Sequence, residues 1–185
     1  MTNVKGDYAA VNGLQLYYEI HGQGNPLILL HGGLNNVTLL GDTLTALAQD
    51  HQVIAVDLQG HGRTADIDRP LRYELMADDI AALIRHLGFA QVDVMGYSLG
   101  GGTALRIAIQ HPNLVRKLVL VSVACKRTGS YPEVLAAMDQ MSGAAAKFMQ
   151  GAPIYQSYVQ ISPTPENFPL LLDKLGDMLR QPYDW

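Results

Sequence analysis

The stretch "VDVMGYSLGGGTALRIAIQH" (92–111) sets Ser98 between an apolar run and a helical pattern. Gly96, Ser98 and Gly100 fit G-x-S-x-G. That short pattern carries meaning when a buried strand precedes it and a helix follows at once, as here. On such a turn the serine backbone is strained, its Oγ is exposed, and the flanking glycines let neighbouring chain approach closely. The helix N-terminus then aims N–H groups and positive partial charge at the same spot. These features suit attack by Ser98 on an acyl carbon, with the Leu99 N–H meeting the oxyanion. The plain alternative is a glycine-rich strand–helix turn with an incidental serine, which the context disfavours.

A second piece is "LLHGGLNN" (29–36), where an apolar run ends at His31 and Gly33 follows in a glycine turn. The Gly33 N–H is the candidate second oxyanion donor, with a simple turn as the alternative. A serine nucleophile also needs a base. Only His111 follows Ser98 in the chain. It ends the same helix, about 14 residues on, so at 1.5 Å per residue it lies roughly 20 Å from Ser98. His31 and His61 both fall at strand ends and are possible supporting residues. His61 is the better placed by expected exposure, whereas His31 reads as structural. His21, His51 and His86 sit in turn or helix-end contexts and carry no signal.

Two other chemistries are weighed and set aside. "VDLQGHGRTA" contains G-x-G-x-x-A at Gly60, Gly62 and Ala65. A dinucleotide site would open a helix at once and end the next strand in an acid, but 66–70 reads as loop and the next strand ends in the serine turn. No nicotinamide or flavin cofactor is expected. There is no HExxH, no CxxC and no clustered His/carboxylate set, so no metal site is expected.

The elements that must position these residues follow from hydrophobic pattern. "LQLYYEI" (14–20), "PLILLHGG" (26–33), "QVIAVDL" (52–58), "QVDVMGY" (91–97) and "RKLVLVSV" (116–123) read as strands bounded by turn residues. Between them, Met76, Ile80, Leu83, Ile84 and Leu87 share one helical face. The helix after Ser98 carries Ala104, Leu105, Ala108 and Ile109 on one face. Alternating strand and helix predict an α/β fold with a mostly parallel sheet. From residue 127 the texture changes to helical patterns and prolines. Met138, Met141, Phe148 and Met149, then Leu171, Leu172, Leu175, Met178 and Leu179, predict packed helix faces, some of whose methionines could wall a pocket.

Composition narrows the class. The 185 residues suit one domain, and 48% hydrophobic residues argue against general disorder. The net charge of −4, without a basic run, argues against nucleic acid or an anionic membrane as partner. The single cysteine, Cys125, excludes an intrachain disulfide, fits a reducing compartment and reads as a small core residue. No signal-peptide-like or membrane-spanning stretch is found, so a soluble, cytoplasmic protein is expected. The sequon "NVT" at 36–38 is then a chance match.

"HGG", "DLQGHGRT", "GYSLGGG" and "HPNLVRKLVLVS" occur in the order and approximate spacing of the α/β-hydrolase superfamily, which residues 8–126 resemble. The resemblance implies a core over 1–126 and a helical cap over 127–185. It implies Ser98 as nucleophile, with the N–H groups of Gly33 and Leu99 as oxyanion hole. The family's order is serine, then Asp or Glu, then histidine. "SVACK" (122–126) holds no carboxylate, and no strand follows before "QPYDW", so the triad acid, the histidine and the C-terminal strands are expected outside this sequence. The strand at 116–123 would then be an edge, and self-association or a complementing C-terminal fragment would cover it.

The expected function is a serine hydrolase acting on an ester or related small acyl substrate, impaired in the isolated chain. The alternative is a non-catalytic ligand-binding or assembly protein on the same scaffold. Among serine chemistries the resemblance leaves open C–C bond hydrolysis, lactonase and cofactor-free haloperoxidase activity. Ser98 excludes the nucleophilic aspartate of dehalogenases.

Overall fold

A computed structural model describes residues 6–185; residues 1–5, the start of the expected core unit, lie outside the described residues. Gly6–Val11 (β1) and Leu14–His21 (β2) pair as an antiparallel hairpin. Its two-residue turn, Asn12–Gly13, takes positive φ at both positions (48° and 86°), as tight hairpins require. Four more strands follow: Asn25–Leu30 (β3), His51–Val56 (β4), Val92–Tyr97 (β5) and Val115–Val121 (β6). The sheet order is β1-β2-β4-β3-β5-β6. β4–β3, β3–β5 and β5–β6 are parallel and the two pairings at the β1 side antiparallel, so the sheet is mostly parallel, as its pattern predicts.

The central strands are apolar on both faces because both faces are covered. Ile28, Leu30, Ile54 and Val56 point into the larger core with Met76, Ile80, Leu83 and Ile84 of the helix Tyr73–His86 (α2). Leu27, Leu29, Val53 and Ala55 point the other way, against Val37 and against Leu44 of the short helix Gly41–Leu47 (α1). Leu99–Gln110 (α3) packs beside α2 and carries Ala104 and Ile107 into the larger core. β6 differs. Its outer edge has no partner strand among the described residues, and Val119, Leu120 and Val121 are 48%, 39% and 36% exposed. This is the edge that the sequence pattern anticipates.

After β6 the chain forms helices Pro132–Gln140 (α4), Ala146–Met149 (α5), Pro153–Ile161 (α6) and Phe168–Arg180 (α7). α7 anchors this layer. Leu171, Leu172, Leu175 and Met178 join the larger core, and Phe168 is fully buried with Tyr155 and Tyr158 edge-on at 5.0 and 5.1 Å. Lys174 Nζ reaches Asp66 Oδ2 at 2.5 Å and donates to the carbonyls of Ile67 and Arg69 at 2.8 Å, tying α7 to the loop after β4. The final residues fold back, with the Trp185 N–H donating to Cys125 O at 2.8 Å.

Two expectations are corrected. Cys125 is exposed rather than core, because the chain leaves the sheet before reaching it. Phe148, expected on a packed helix face, is 81% exposed, because α5 is a single turn with Ala146 as its buried contact. The layer's attachment through Phe168 predicts a large effect of truncation there. Phe168→Ala should lower unfolding stability by about 3–5 kcal/mol, read from urea denaturation.

Candidate active site

Ser98 is the N-cap of α3, at φ 51° and ψ −113°, outside the regions that side-chain-bearing residues ordinarily occupy. Three hydrogen bonds hold it there. The Ser98 N–H donates to Val121 O at 2.9 Å, the Gly102 N–H to Ser98 O at 2.9 Å, and the Gly100 N–H to His31 O at 3.0 Å. The glycines on either side are a steric necessity. A Cβ on Gly96 would run into the backbone of Gly100. One on Gly100 would lie 2.5 Å from Leu30 O and 2.6 Å from His31 O.

The predicted oxyanion residues come together. A Cβ built on Gly33 would lie 3.8 Å from Leu99 Cβ, and both residues line one cavity with Ser98. Neither N–H has a hydrogen-bond acceptor among the described residues; Leu99 opens a helix, whose first amides have no partner within it. The cavity is about 310 Å³. It is also lined by Met138 of α4, by Met141 directly after that helix, and by Leu175 and Leu179 of α7. Those residues therefore serve both as helix packing and as pocket wall.

Four hydroxyl-bearing residues in this cavity, Tyr73, Ser122, Ser130 and Tyr183, carry no signal of their own in the sequence. For Ser122 the signal is the register. Tyr97 pairs with Val121, so the next pair across β5 and β6 is Ser98 beside Ser122. Ser122 also has a positive φ, 55°.

The histidines fall elsewhere. His31 and His61 are both fully buried and neither lines this cavity, so the expected exposure of His61 is corrected: loop 57–72 folds inward over it. Their rings lie 5.1 Å apart. His31 Nδ1 is 2.7 Å from Gly32 O, and its Nε2 accepts the Leu58 N–H at 3.1 Å, so both ring nitrogens are used structurally. His61 Nδ1 lies 2.8 Å from Gln59 O, while its Nε2 finds no hydrogen-bond partner among the described residues. Burial holds His31 down to about 4, and burial with the neighbouring His31 holds His61 down to about 3. Both rings are neutral at physiological pH. His111 caps the far end of α3 and pairs with Asp78 at 2.8 Å, so α3, 12 residues long, separates it from Ser98.

Asp57, the first residue of the "DLQGHGRT" motif, is a structural hub. It accepts the N–H groups of Val37 at 2.7 Å and Arg63 at 2.8 Å, and burial pushes its carboxyl up to about 6. Its carbonyl accepts Thr64 Oγ1 at 2.6 Å, which in turn accepts the Tyr17 N–H at 2.9 Å. Asn36, the sequon asparagine, is 1% exposed and donates to Ser157 Oγ at 2.9 Å. The glycine-rich run holding Gly60 and Gly62 is loop, and the next helix opens only at Tyr73. No helix of the described residues is long and apolar enough to cross a membrane.

A strained serine between a parallel strand and a helix, with a glycine loop beside it, defines a class, and comparison with known proteins agrees. The family model for the alpha/beta hydrolase fold matches residues 25–179, and the chain belongs to that family. A soluble epoxide hydrolase of Corynebacterium sp. strain C12 is 33% identical over 143 residues, covering 74% of this chain and 49% of that protein. Among solved structures, an E-2-(acetamidomethylene)succinate hydrolase superposes with TM-score 0.75 at 20% identity, over 97% of this chain and 75% of the other. The enol-lactonase from Burkholderia xenovorans LB400 superposes with TM-score 0.67 at 22% identity, over 93% and 70%. These structural likenesses establish the fold. The chain spans about a third to a half of the length of the curated relatives it matches.

The buried groups beside the site predict a pH dependence. His31 and His61 bind protons more weakly folded than unfolded, so their contribution to stability is lost as pH falls from about 6.5 through their folded values. Asp57 acts in the opposite sense, since its raised pKa makes the folded state hold a proton that the unfolded state has lost. Between pH 4 and about 6, two histidines against one carboxyl leave one extra proton on the unfolded chain. Acidification through that window should therefore cost stability at these three groups, with the raised carboxyl of buried Asp79 opposing it. His61→Gln should lessen the slope of stability against pH, as read from urea midpoints. A slope unchanged in the variant would show that His61 is not its source.

Proposed function

We propose that the chain carries the nucleophile half of an ester hydrolase site, with Ser98 as nucleophile and the N–H groups of Gly33 and Leu99 as oxyanion donors. The observation that carries the reading is the strained Ser98 backbone, set in one cavity beside two amides without acceptors. In this scheme Ser98 Oγ attacks the substrate carbonyl and its proton passes to a base. The alcohol leaves with that proton, and water then cleaves the acyl–serine ester to the free acid. The negative charge on the tetrahedral oxygen meets the two amides, each of a kind whose loss costs about 10²–10³ in rate.

The chemistry of serine favours an ester over an epoxide despite the name of the Corynebacterium relative. A serine that opened an epoxide would leave an alkyl ether, with no carbonyl for water to attack. The base is assigned to a segment outside residues 1–185. Neither His31 nor His61 lines the cavity, and His111 is engaged with Asp78. The free edge of β6 adjoins the Ser98 turn and is where a complementing strand would bring the base. Residues 127–185 serve in this scheme as the cap over the acyl site.

A second reading, a non-catalytic binding or assembly protein, draws on the exposed Val119 and Val121 of that edge. A second copy would then cover β6.

Two measurements test these readings. The 185-residue chain, treated with a fluorophosphonate and analysed by intact mass and peptide mapping, should label slowly and on Ser98. Free imidazole, a small substitute base, should speed the labelling, and Ser98→Ala should abolish it. Labelling at an equal rate in Ser98→Ala would remove Ser98 from the mechanism. By sedimentation velocity the chain should self-associate through β6, and Val119→Lys with Val121→Lys should return it to monomer. A monomeric unaltered chain would sink the assembly reading.

A further inference from the structure

Among the described residues, no charged side chain lines the cavity that holds Ser98. Its walls are apolar on the helical side, from Val134, Met138 and Met141 to Leu175 and Leu179. Its polar groups are hydroxyls and backbone amides. The two tyrosines have their pKa raised by burial, so both are neutral. Of the two cations adjacent in sequence to this wall, Lys174 is satisfied by Asp66 and two carbonyls, and Arg180 by Met141 O and Asp177. Arg127 is held by Asp139 and by Leu179 O, and Arg106 by Gln110 and the Trp185 ring. These four cations are thus engaged by other partners, and none of them lines the cavity.

We infer that the site takes a neutral carbonyl compound with an unbranched apolar chain, and rejects substrates bearing a carboxylate on that chain. This deepens the proposed ester hydrolase and rests on the same cavity. A carboxylate placed against Met138 and Leu175 would lose its hydration and gain no cation, which a buried charge does not tolerate. A flexible chain suits a wall with two methionines, because their side chains adapt to varied shapes. The volume, about 310 Å³, lies at the small end for ligand sites, which sets an upper limit on chain length. The hydroxyls of Ser122, Ser130 and Tyr183 also line the cavity and are the groups that would receive the polar end of the molecule.

The protein contains its own probe. Trp185, the single tryptophan, stacks on Tyr183 with ring centroids 4.6 Å apart, and Tyr183 lines the cavity. Straight-chain methyl ketones of increasing length, which present the carbonyl without a cleavable bond, should shift its fluorescence. Their dissociation constants should fall about fourfold per added methylene until the cavity is full. The matching keto acids, with a terminal carboxylate, should bind at least tenfold more weakly than the ketone of equal length. Met138→Lys, which sets a cation on the cavity wall at a half-buried position, should reverse that preference. Its melting curve reports whether it folds, and the ligand series on the unaltered chain stands without it. Affinity independent of chain length, or keto acids binding as tightly as ketones, would overturn the inference. Because the series reads binding, it distinguishes a wrong pocket from a wrong nucleophile. Ketone binding that follows chain length without fluorophosphonate labelling would leave the pocket standing and remove the nucleophile.

Discussion

The amide of Gly100 donates to the carbonyl of His31, and the amide of Ser98 donates to the carbonyl of Val121. Between them these two bonds fasten the first turn of α3 to the ends of β3 and β6, its neighbours on either side of β5. They require the helix backbone to lie almost against the strand ends, which is why a Cβ at Gly96 or Gly100 would collide with carbonyl or amide atoms. Much else follows from that closeness. The chain has room to reverse only with Ser98 at positive φ, and this turns its side chain away from the sheet and into the cavity. The same seating brings Leu99 beside Gly33, so two unpaired amides meet at one place.

The loop around His31 must in turn be rigid, and buried polar groups make it so. His31 bridges Gly32 and Leu58, while Asp57 gathers the amides of Val37 and Arg63. Each of these atoms satisfies a backbone group that would otherwise be buried without a partner. The arrangement works with neutral rings, and burial guarantees that state. Histidines so placed are suited to support and unsuited to proton transfer at the surface of a cavity they do not touch. On the proposed reading, neither of these two rings is the base.

How much of this can be read from residues alone differs by element. The strands at 26–33, 52–58 and 91–97 are legible because burial on both faces produces short, largely apolar runs ended by turn residues, even with Asp93 inside the third. β1 is not, since "GDYAAV" mixes exposed Asp7 and Tyr8 with buried Ala9; the signal available was the Asn12–Gly13 turn. The short helix α1 escapes for a similar reason, having one buried residue, Leu44. Gly33, Ser98 and Leu99 are brought together as their motifs predict, because glycine and serine spacing encodes the local turn directly. The cavity's hydroxyls are not legible, since Ser122 meets Ser98 only through the register of β5 on β6, and Tyr183 only through the fold-back of the final residues. Exposure of His61 is misjudged because a glycine loop suggests surface, whereas Gly60 and Gly62 here let the chain turn inward over the ring.

The two flanks of the sheet now stand in contrast. On the β1 side the hairpin closes the sheet with side chains of mixed polarity, so that edge is protected. On the β6 side the last strand offers Leu118 to Val121 in succession, three of them more than a third exposed, with basic Arg116 and Lys117 only at its start. Arg116 is itself drawn onto Asp93 of β5 at 2.6 Å, away from any role in guarding the edge. A strand so apolar and so unguarded is shaped for a neighbour. The Ser98 turn hangs from the last carbonyl of that same strand, so whatever pairs with β6 would also border the cavity. On the proposed reading, completing the sheet and completing the site would be one event. A partner strand would remove the exposed apolar edge and, in the same step, set its own C-terminal end next to Ser122 and Ser98.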